Sequence, residues 1–243
     1  MSKLYTEYAD LYHKMYQSFI DYDEEYQFYK ELLDKHKSRN ILEIGCGTGQ
    51  LARRFLADGY RYTGIDISNA MLEYARKGLP AFHFHQMDMR DINLPLTFDG
   101  VIITARSISY ILTNKDVMDT FRSIKKVLQD GGVLIFDFIE AKSFIPSIKE
   151  KEIISHEVVI DNIRYKREST FEKHIDTNWS WIWKSIFLKE GNSGYQAIGS
   201  DEAELRTFTA DEIEIFLTLA GFKILQVLDR RVYAFHTNVI VAQ

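Results

Sequence analysis

"ILEIGCGTGQ", residues 41–50, is an apolar run broken by one carboxylate, Glu43, and closed by three alternating glycines, Gly45, Gly47 and Gly49. The run predicts a buried strand, and the glycines predict a sharp turn into a helix with backbone left bare for a ligand. Around it, strands expected at 62–66, 81–86, 98–104 and 133–138, the last two carrying the near-unbroken apolar runs VIIT and GVLIFDF, are interspersed with helical spacing at 48–57, 68–77 and 114–128. Strands interleaved with helices predict an α/β fold with a parallel sheet covered on both faces.

The glycines also narrow the ligand. A triphosphate loop would follow its last glycine with lysine, whereas Gln50 stands there, and a dinucleotide loop would need a glycine at Gln50 itself. Glu43 would repel a pyrophosphate. The expected ligand therefore carries a cationic group close to this turn.

Two helices are expected ahead of the turn: 4–19, with Leu4, Tyr8, Leu11, Tyr12, Met15 and Phe19 at helical spacing, and 23–37, acidic first and basic later. Past Pro146 the period changes to two in EIISHEVVI (152–160), NIRYKRESTF (162–171) and NWSWIWKSIFL (178–188). These predict antiparallel strands, separated by Asp161-Asn162 and by HIDTN (174–178). GNSGYQAIGS (191–200) predicts a mobile loop, TADEIEIFLTLAGF (209–222) a helix ending on Gly221, and 223–230 and 232–242 two closing strands. The expected organisation is a cofactor-binding α/β core with its N-terminal helices over 1–140. An antiparallel β lid is inserted over 141–205, and 206–243 completes the core.

Composition excludes several classes. With a net charge of -5 over 243 residues, the chain lacks the cationic excess that phosphate backbones require, so no nucleic-acid partner is expected. Cys46 is the sole cysteine, which rules out an intramolecular disulfide or a multi-cysteine zinc site. His83 and His85 share a strand face without a third ligand at suitable spacing, so no metal is expected. No stretch approaches the roughly 18 apolar residues of a membrane span and no basic-then-apolar leader opens the chain, which predicts a soluble cytoplasmic protein.

An acid, one residue, then three alternating glycines, as in Glu43 to Gly49, resembles the first motif of the class I S-adenosylmethionine-dependent methyltransferase family. The resemblance continues at Asp66, closing YTGIDIS, and at Asp88-Met89 in HQMDMRD. It extends to LQDGGVLIFDF and the helix in RTFTADEIEIFLTLAGF. It implies S-adenosyl-L-methionine as cofactor and a Rossmann-like seven-stranded sheet of order 3-2-1-4-5-7-6 with the seventh strand antiparallel. It further implies that Glu43, Gly45, Cys46, Gly47 and Gly49 hold the amino-acid end of the cofactor. Asp66 with Ile67 and Met71 would hold the ribose side, Asp88 and Met89 the adenine, and Thr104 and Ala105 the region of the transferred methyl. Within the family, YADLYHKMY and the inserted strands look like the small-molecule N,N-dimethyltransferases of nucleotide-linked deoxyamino sugars. That likeness implies a substrate-side role for Tyr16 and a cofactor-covering role for Tyr22. His236 stands where those enzymes have an arginine for a sugar-nucleotide phosphate, which weakens the nucleotide-sugar reading.

The acceptor side is read from position and alternation. Arg106, after the fourth strand, either anchors an acidic acceptor group or caps a turn; Tyr110 either faces the site or packs. Arg167 lies among Ile163, Tyr165, Ser169 and Phe171, and His156 among Ile154, Val158 and Ile160. A charge on an apolar face needs a partner, so Arg167 either meets the acceptor or makes a salt bridge in the lid. His156 is either a base or a half-buried histidine. Trp179, Trp181 and Trp183 alternate and should share a face, for a flat acceptor, for the lid core or for a homodimer. The sequence thus predicts methyl transfer to an amine or hydroxyl of a small molecule. The competing readings are an enzyme that modifies the cofactor itself and a non-catalytic cofactor-binding module.

Overall fold

The computed structural model describes residues 2–174, 179–232 and 235–243. The HIDTN turn signal from residue 175 onward, and residues 233–234 of the last expected strand, lie outside them. Two helices, α1 (Ala9–Phe19) and α2 (Tyr22–Lys35), lead into β1 (Asn40–Ile44). The core continues with α3 (Gln50–Ala57), β2 (Arg61–Asp66), α4 (Asn69–Gly78), β3 (Phe84–Gln86), β4 (Phe98–Ile103), α5 (Asn114–Val127) and β5 (Leu128–Ile139). A short helix, α6 (Ala141–Ser147), then precedes β6 (Ile154–Ile160), β7 (Ile163–His174), β8 (Ser180–Gly191) and β9 (Gly194–Arg206). The chain closes with α7 (Ala210–Leu219), β10 (Ile224–Val232) and β11 (Phe235–Ala242).

Seven strands form one sheet in the order β10-β11-β5-β4-β1-β2-β3, with β11 antiparallel to both its neighbours. This is the strand order the sequence resemblance implies, read from the other edge. The side-chain alternation of the apolar runs explains burial on both faces. Leu42 and Ile44 of β1, with Val101 and Ile103 of β4, join the core under α5 and α7; Ile41 and Ile102 join the one under α2, α3 and α4. Local signals fix the helix starts: Ser68 caps α4, Thr113 caps α5, and Thr209 with Glu212 forms a capping box on α7.

The remaining strands make a separate antiparallel sheet, β6-β7-β8-β9. Asp161 and Asn162 both take positive φ, at 52° and 63°, in the hairpin between β6 and β7. GNSGYQAIGS is not a loop. Gly191 pairs with Gly194 and β9 runs on from there, so the stretch is a tight hairpin and the first half of a strand. Its residues are mostly exposed on an edge strand, so no apolar alternation marked it. A short helix, α6, not expected from the sequence, lies between β5 and β6, and Pro146, past which the period changes to two, lies inside it.

The N-terminal segment ties the two sheets together. Tyr5, Tyr8, Tyr12, Tyr16 and Phe19 pack with Met15 against Val158 and Phe187 of the four-stranded sheet. Ser2 Oγ donates to Asp201 at 2.5 Å, and Ser68 Oγ to the Tyr5 carbonyl at 2.5 Å. α1 is therefore held between the small sheet and the C-terminal edge of the parallel strands. Among the described residues no helix is long and apolar enough to cross a membrane.

Candidate active site

The turn after β1 is built on left-handed backbone, with φ of 74° at Gly45, 52° at Gly47 and 75° at Gly49. At Gly45 a Cβ would also lie 2.5 Å from Ser107 Oγ. The loop thus hugs the segment after β4, and it is fixed by its own amides, with Gly45 N and Cys46 N both donating to the Ile65 carbonyl, at 2.8 and 3.1 Å. Gly47 N donates to Asp66 Oδ2 at 2.8 Å and Ser68 N donates to Asp66 Oδ1 at 2.8 Å. Burial raises the Asp66 pKa, while these two amides and that of Ile67 oppose the rise. Each Asp66 oxygen keeps a lone pair for a further donor, as binding two vicinal hydroxyls requires.

Glu43 is 2 % exposed and receives hydrogen bonds from the Tyr62 hydroxyl at 2.5 Å and the Thr104 hydroxyl at 3.1 Å. Burial pushes its carboxyl up to about 7, against the pull of those two donors. Among the described residues no cationic side chain pairs with it. A buried acid without a counter-charge, beside bare glycine backbone, suits a ligand that brings its own positive group.

Sequence reasoning missed a second acid in this cleft. Glu25 of α2 is 6 % exposed; its Oε2 accepts from Arg230 Nη1 at 3.0 Å, while Oε1 is buried with no partner. Glu25, Tyr22 and Glu43 line one cleft with Gly45, Gly47 and Thr104. An acid in the first turn of a helix reads as a dipole complement, which hid it. Cys46 packs against Gly64, and burial pushes its thiol well up, so it is a packing residue and no nucleophile.

On the far side of β2, Ile67 is 47 % exposed beside the loop and Met71 is buried under Gly47. Asp88 is turned to its own neighbour: Arg90 donates to it from its backbone N at 2.9 Å and from Nη2 at 2.5 Å, and holds the carboxyl below its usual range. Asp88 is thus already paired with a cation, in contrast to Glu43, whose two partners are neutral hydroxyls. Met89 is half-buried against the core beneath α5.

A second cavity adjoins the cleft. Tyr12, Ile20 and Ala105 line both; the second is walled by Tyr5, Tyr16, Tyr110 and Phe235 and roofed by His156, Arg167, Trp181 and Trp183. The wall turns at Ala105 and Arg106, two non-glycine residues with φ of 54° and 60°. Asp137, buried at the end of β5, accepts from Arg106 N at 2.8 Å and holds that turn. Burial lifts the Asp137 carboxyl to about 6, against the pull of Arg106. The Arg106 guanidinium lies 5.2 Å over the Phe235 ring.

Arg167 is 4 % exposed; it donates from Nη1 to the Tyr16 hydroxyl at 2.5 Å and lies 5.0 Å over the Trp183 ring. It has no salt bridge among the described residues, so the lid ion pair open in the sequence is absent. His156 faces Arg167 across β6 and β7, and burial first, then Arg167, lowers its pKa. Tyr110 shares a hydrogen bond with Tyr5 at 2.7 Å.

Two expectations are corrected. Trp179 does not share the face of Trp181 and Trp183: it precedes β8 at φ 55° and is 45 % exposed, because strand alternation begins only at Ser180. His236 does not enter the acceptor cavity. It lines a neighbouring cavity with Arg231 and Phe235, the last of which also reaches the acceptor cavity, and it bonds Asp229. Among the described residues no group of metal-ligating side chains forms, the stacked His83 and His85 included.

Residues 41–132 match the family model described as a methyltransferase domain. YqeM of Bacillus subtilis (strain 168), named as a methyltransferase, is 31% identical over 201 residues, covering 76% of this chain and 73% of that protein. The dTDP-3-amino-3,4,6-trideoxy-alpha-D-glucopyranose N,N-dimethyltransferase of Streptomyces venezuelae is 32% identical over 101 residues, covering 42% of this chain and 43% of its own. The crystal structure of Streptomyces venezuelae DesVI superposes with a TM-score of 0.84 at 24% identity, over 96% of this chain and 97% of that one. The turn geometry, the uncompensated Glu43, the strand order and these likenesses agree. The chain belongs to the class I S-adenosylmethionine-dependent methyltransferase family, and S-adenosylmethionine is its cofactor.

Proposed function

We propose that the chain methylates an amine or hydroxyl of a small molecule held in the tyrosine- and tryptophan-lined cavity beneath the four-stranded sheet. The observation that carries this reading is the adjacency of the two spaces: Tyr12, Ile20 and Ala105 line both the cofactor cleft and the aromatic cavity. The amino-sugar dimethyltransferase aligns over 42% of this chain, so amino sugars enter only as the first acceptors to screen.

When bound, S-adenosylmethionine supplies a methyl on a sulfonium, an electrophile that needs no further activation. The work left to the protein is orientation and exclusion of water, together worth about 7 to 11 kcal/mol in well-aligned reactions. Glu43 and the open oxygen of Glu25 hold the cationic amino-acid end. Asp66 holds the ribose hydroxyls, Ile67 and Met71 flank it, and Tyr22 covers the cleft. Tyr16, fixed by Arg167, shapes the acceptor side. His156, kept neutral by burial and by Arg167, has a partnerless Nδ1 that can take a proton from the acceptor.

Calorimetric titration with S-adenosylhomocysteine, followed by a mass-spectrometric screen of amino sugars, amines and phenols for methylated product, tests the reading. Micromolar binding lost in Asp66→Ala, with a product heavier by one or two methyl groups, is expected. Binding that Asp66→Ala leaves unchanged, or cofactor altered without any methylated acceptor, would overturn it.

A further inference from the structure

Buried polar atoms without partners are costly, and native proteins keep few of them. Here four such atoms gather in one place: Arg167 Nε, Trp181 Nε1, Trp183 Nε1 and His156 Nδ1 are all buried and unpartnered, and all four residues line the aromatic cavity. Three are obligate donors. A ligand meeting them must be rich in acceptors, and one of the three belongs to a permanently charged guanidinium.

The guanidinium is also pre-arranged. Nη1 is used by the Tyr16 hydroxyl at 2.5 Å, and the Tyr16 and Trp183 rings lie 5.5 Å and 5.0 Å from its centre. That leaves the flat edge made by Nε and Nη2, whose two parallel N–H bonds match the two oxygens of a carboxylate. Among the described residues no acid reaches it. A larger cavity, about 580 Å³, lies on the outer side of the small sheet between Lys3, Glu168, Lys184 and Glu202, but none of the orphaned atoms borders it.

We propose that the methyl acceptor carries a carboxylate, seated on the Nε edge of Arg167 with the Trp181 and Trp183 indole N–H groups alongside. The proposal rests on the methyltransferase reading of the same cavity and specifies the acceptor: a small amino acid or hydroxy acid with an apolar or flat body that fits among the tyrosines. The carboxylate supplies the counter-charge that the fold withholds from Arg167, and it fixes one end of the acceptor while the other end reacts.

The test uses the full chain saturated with S-adenosylhomocysteine, and small amines and alcohols prepared as matched carboxylate, carboxamide and phosphate-ester forms. Thermal shift reads binding, and mass spectrometry with S-adenosylmethionine reads methylation. The carboxylate forms are expected to bind and react about tenfold or more better than the amides. Arg167→Met should erase that preference while S-adenosylhomocysteine binds as before. Trp183→Phe, which keeps a ring and removes one donor, should weaken the acids several-fold even if Arg167→Met fails to fold. Amides equal to acids, a preference that survives these substitutions, phosphate esters preferred, or no shift from any acid would each overturn the proposal. Turnover of neutral forms alone sinks this inference and spares the methyltransferase reading; failure of the wild type to bind S-adenosylhomocysteine sinks that reading instead.

Discussion

The Tyr62 hydroxyl donates to Glu43 Oε2 at 2.5 Å, with both side chains buried and Glu43 lifted to about 7 by its burial. The ordinary value is 4.5. Between the two, the folded chain keeps a proton that the unfolded chain has released, so this group's contribution to stability falls as pH rises through that window. A cationic ligand group favours the ionised carboxylate. S-adenosylhomocysteine should therefore bind more weakly as pH drops below about 7, release a proton on binding near neutrality, and bind Glu43→Gln poorly throughout. Calorimetry in buffers of different ionisation enthalpy counts the proton; affinity flat with pH and no release would remove Glu43 from this role.

Gly45 offers a test of the turn itself. Alanine there meets Ser107 Oγ at 2.5 Å and must hold φ at 74°. The close contact and the left-handed backbone should together cost about 2 to 4 kcal/mol. Ser107→Ala in the same chain should recover most of the contact share, since Ser107 Cβ stays 3.0 Å away, and leave the backbone share, as denaturant unfolding of the single and double variants would show. Full recovery would mean that backbone conformation at Gly45 is not limiting.

Much of this architecture was written locally. The glycine turn, Asp66 at the end of β2 and the Thr209 cap are short-range patterns, and apolar runs mark strands whose two faces are both covered. Groups that matter through distant partners left no such trace. Glu25 meets Arg230, 205 positions away, and lies in a helix turn where acids are ordinary. Arg206, fully buried between Glu212 and the Leu112 carbonyl, carries no sign of its burial in its neighbours. Alternation placed Arg167 and His156 on the apolar face of the small sheet, but it failed at Trp179, one residue before the strand that would have set its direction.

Glu25 predicts a contrast between two ligands. Glu25 lines the cleft, its Oε1 is buried there without a partner, and Arg230, stacked 3.9 Å over Phe28, holds Oε2. If that oxygen receives the ammonium of the cofactor, Glu25→Gln should weaken S-adenosylhomocysteine about tenfold and leave methylthioadenosine, which has no amino-acid end, unchanged. Arg230→Met strands a buried charge and should destabilise the fold by about 3 to 5 kcal/mol. Equal losses for both ligands on calorimetry would make Glu25 structural.

His156 predicts a pH limb. Burial and the Arg167 charge, with the Tyr16 hydroxyl bonded to that same guanidinium, hold the imidazole below its ordinary 6.5. A group so depressed is neutral at pH 7, and protonation removes its ability to take a proton from the acceptor. With S-adenosylmethionine kept saturating, so that Glu43 does not limit cofactor binding, turnover should accordingly be level near neutrality and fall as pH drops through a value under 6.5. His156→Gln should abolish that limb and lower the plateau about a hundredfold for a hydroxyl acceptor, which must lose a proton to react, and far less for an amine. An amine adds its own limb at its own pKa, which the substitution leaves in place, so the two are separable in one pH series. A limb below 6.5 that persists in His156→Gln would assign the proton to another group.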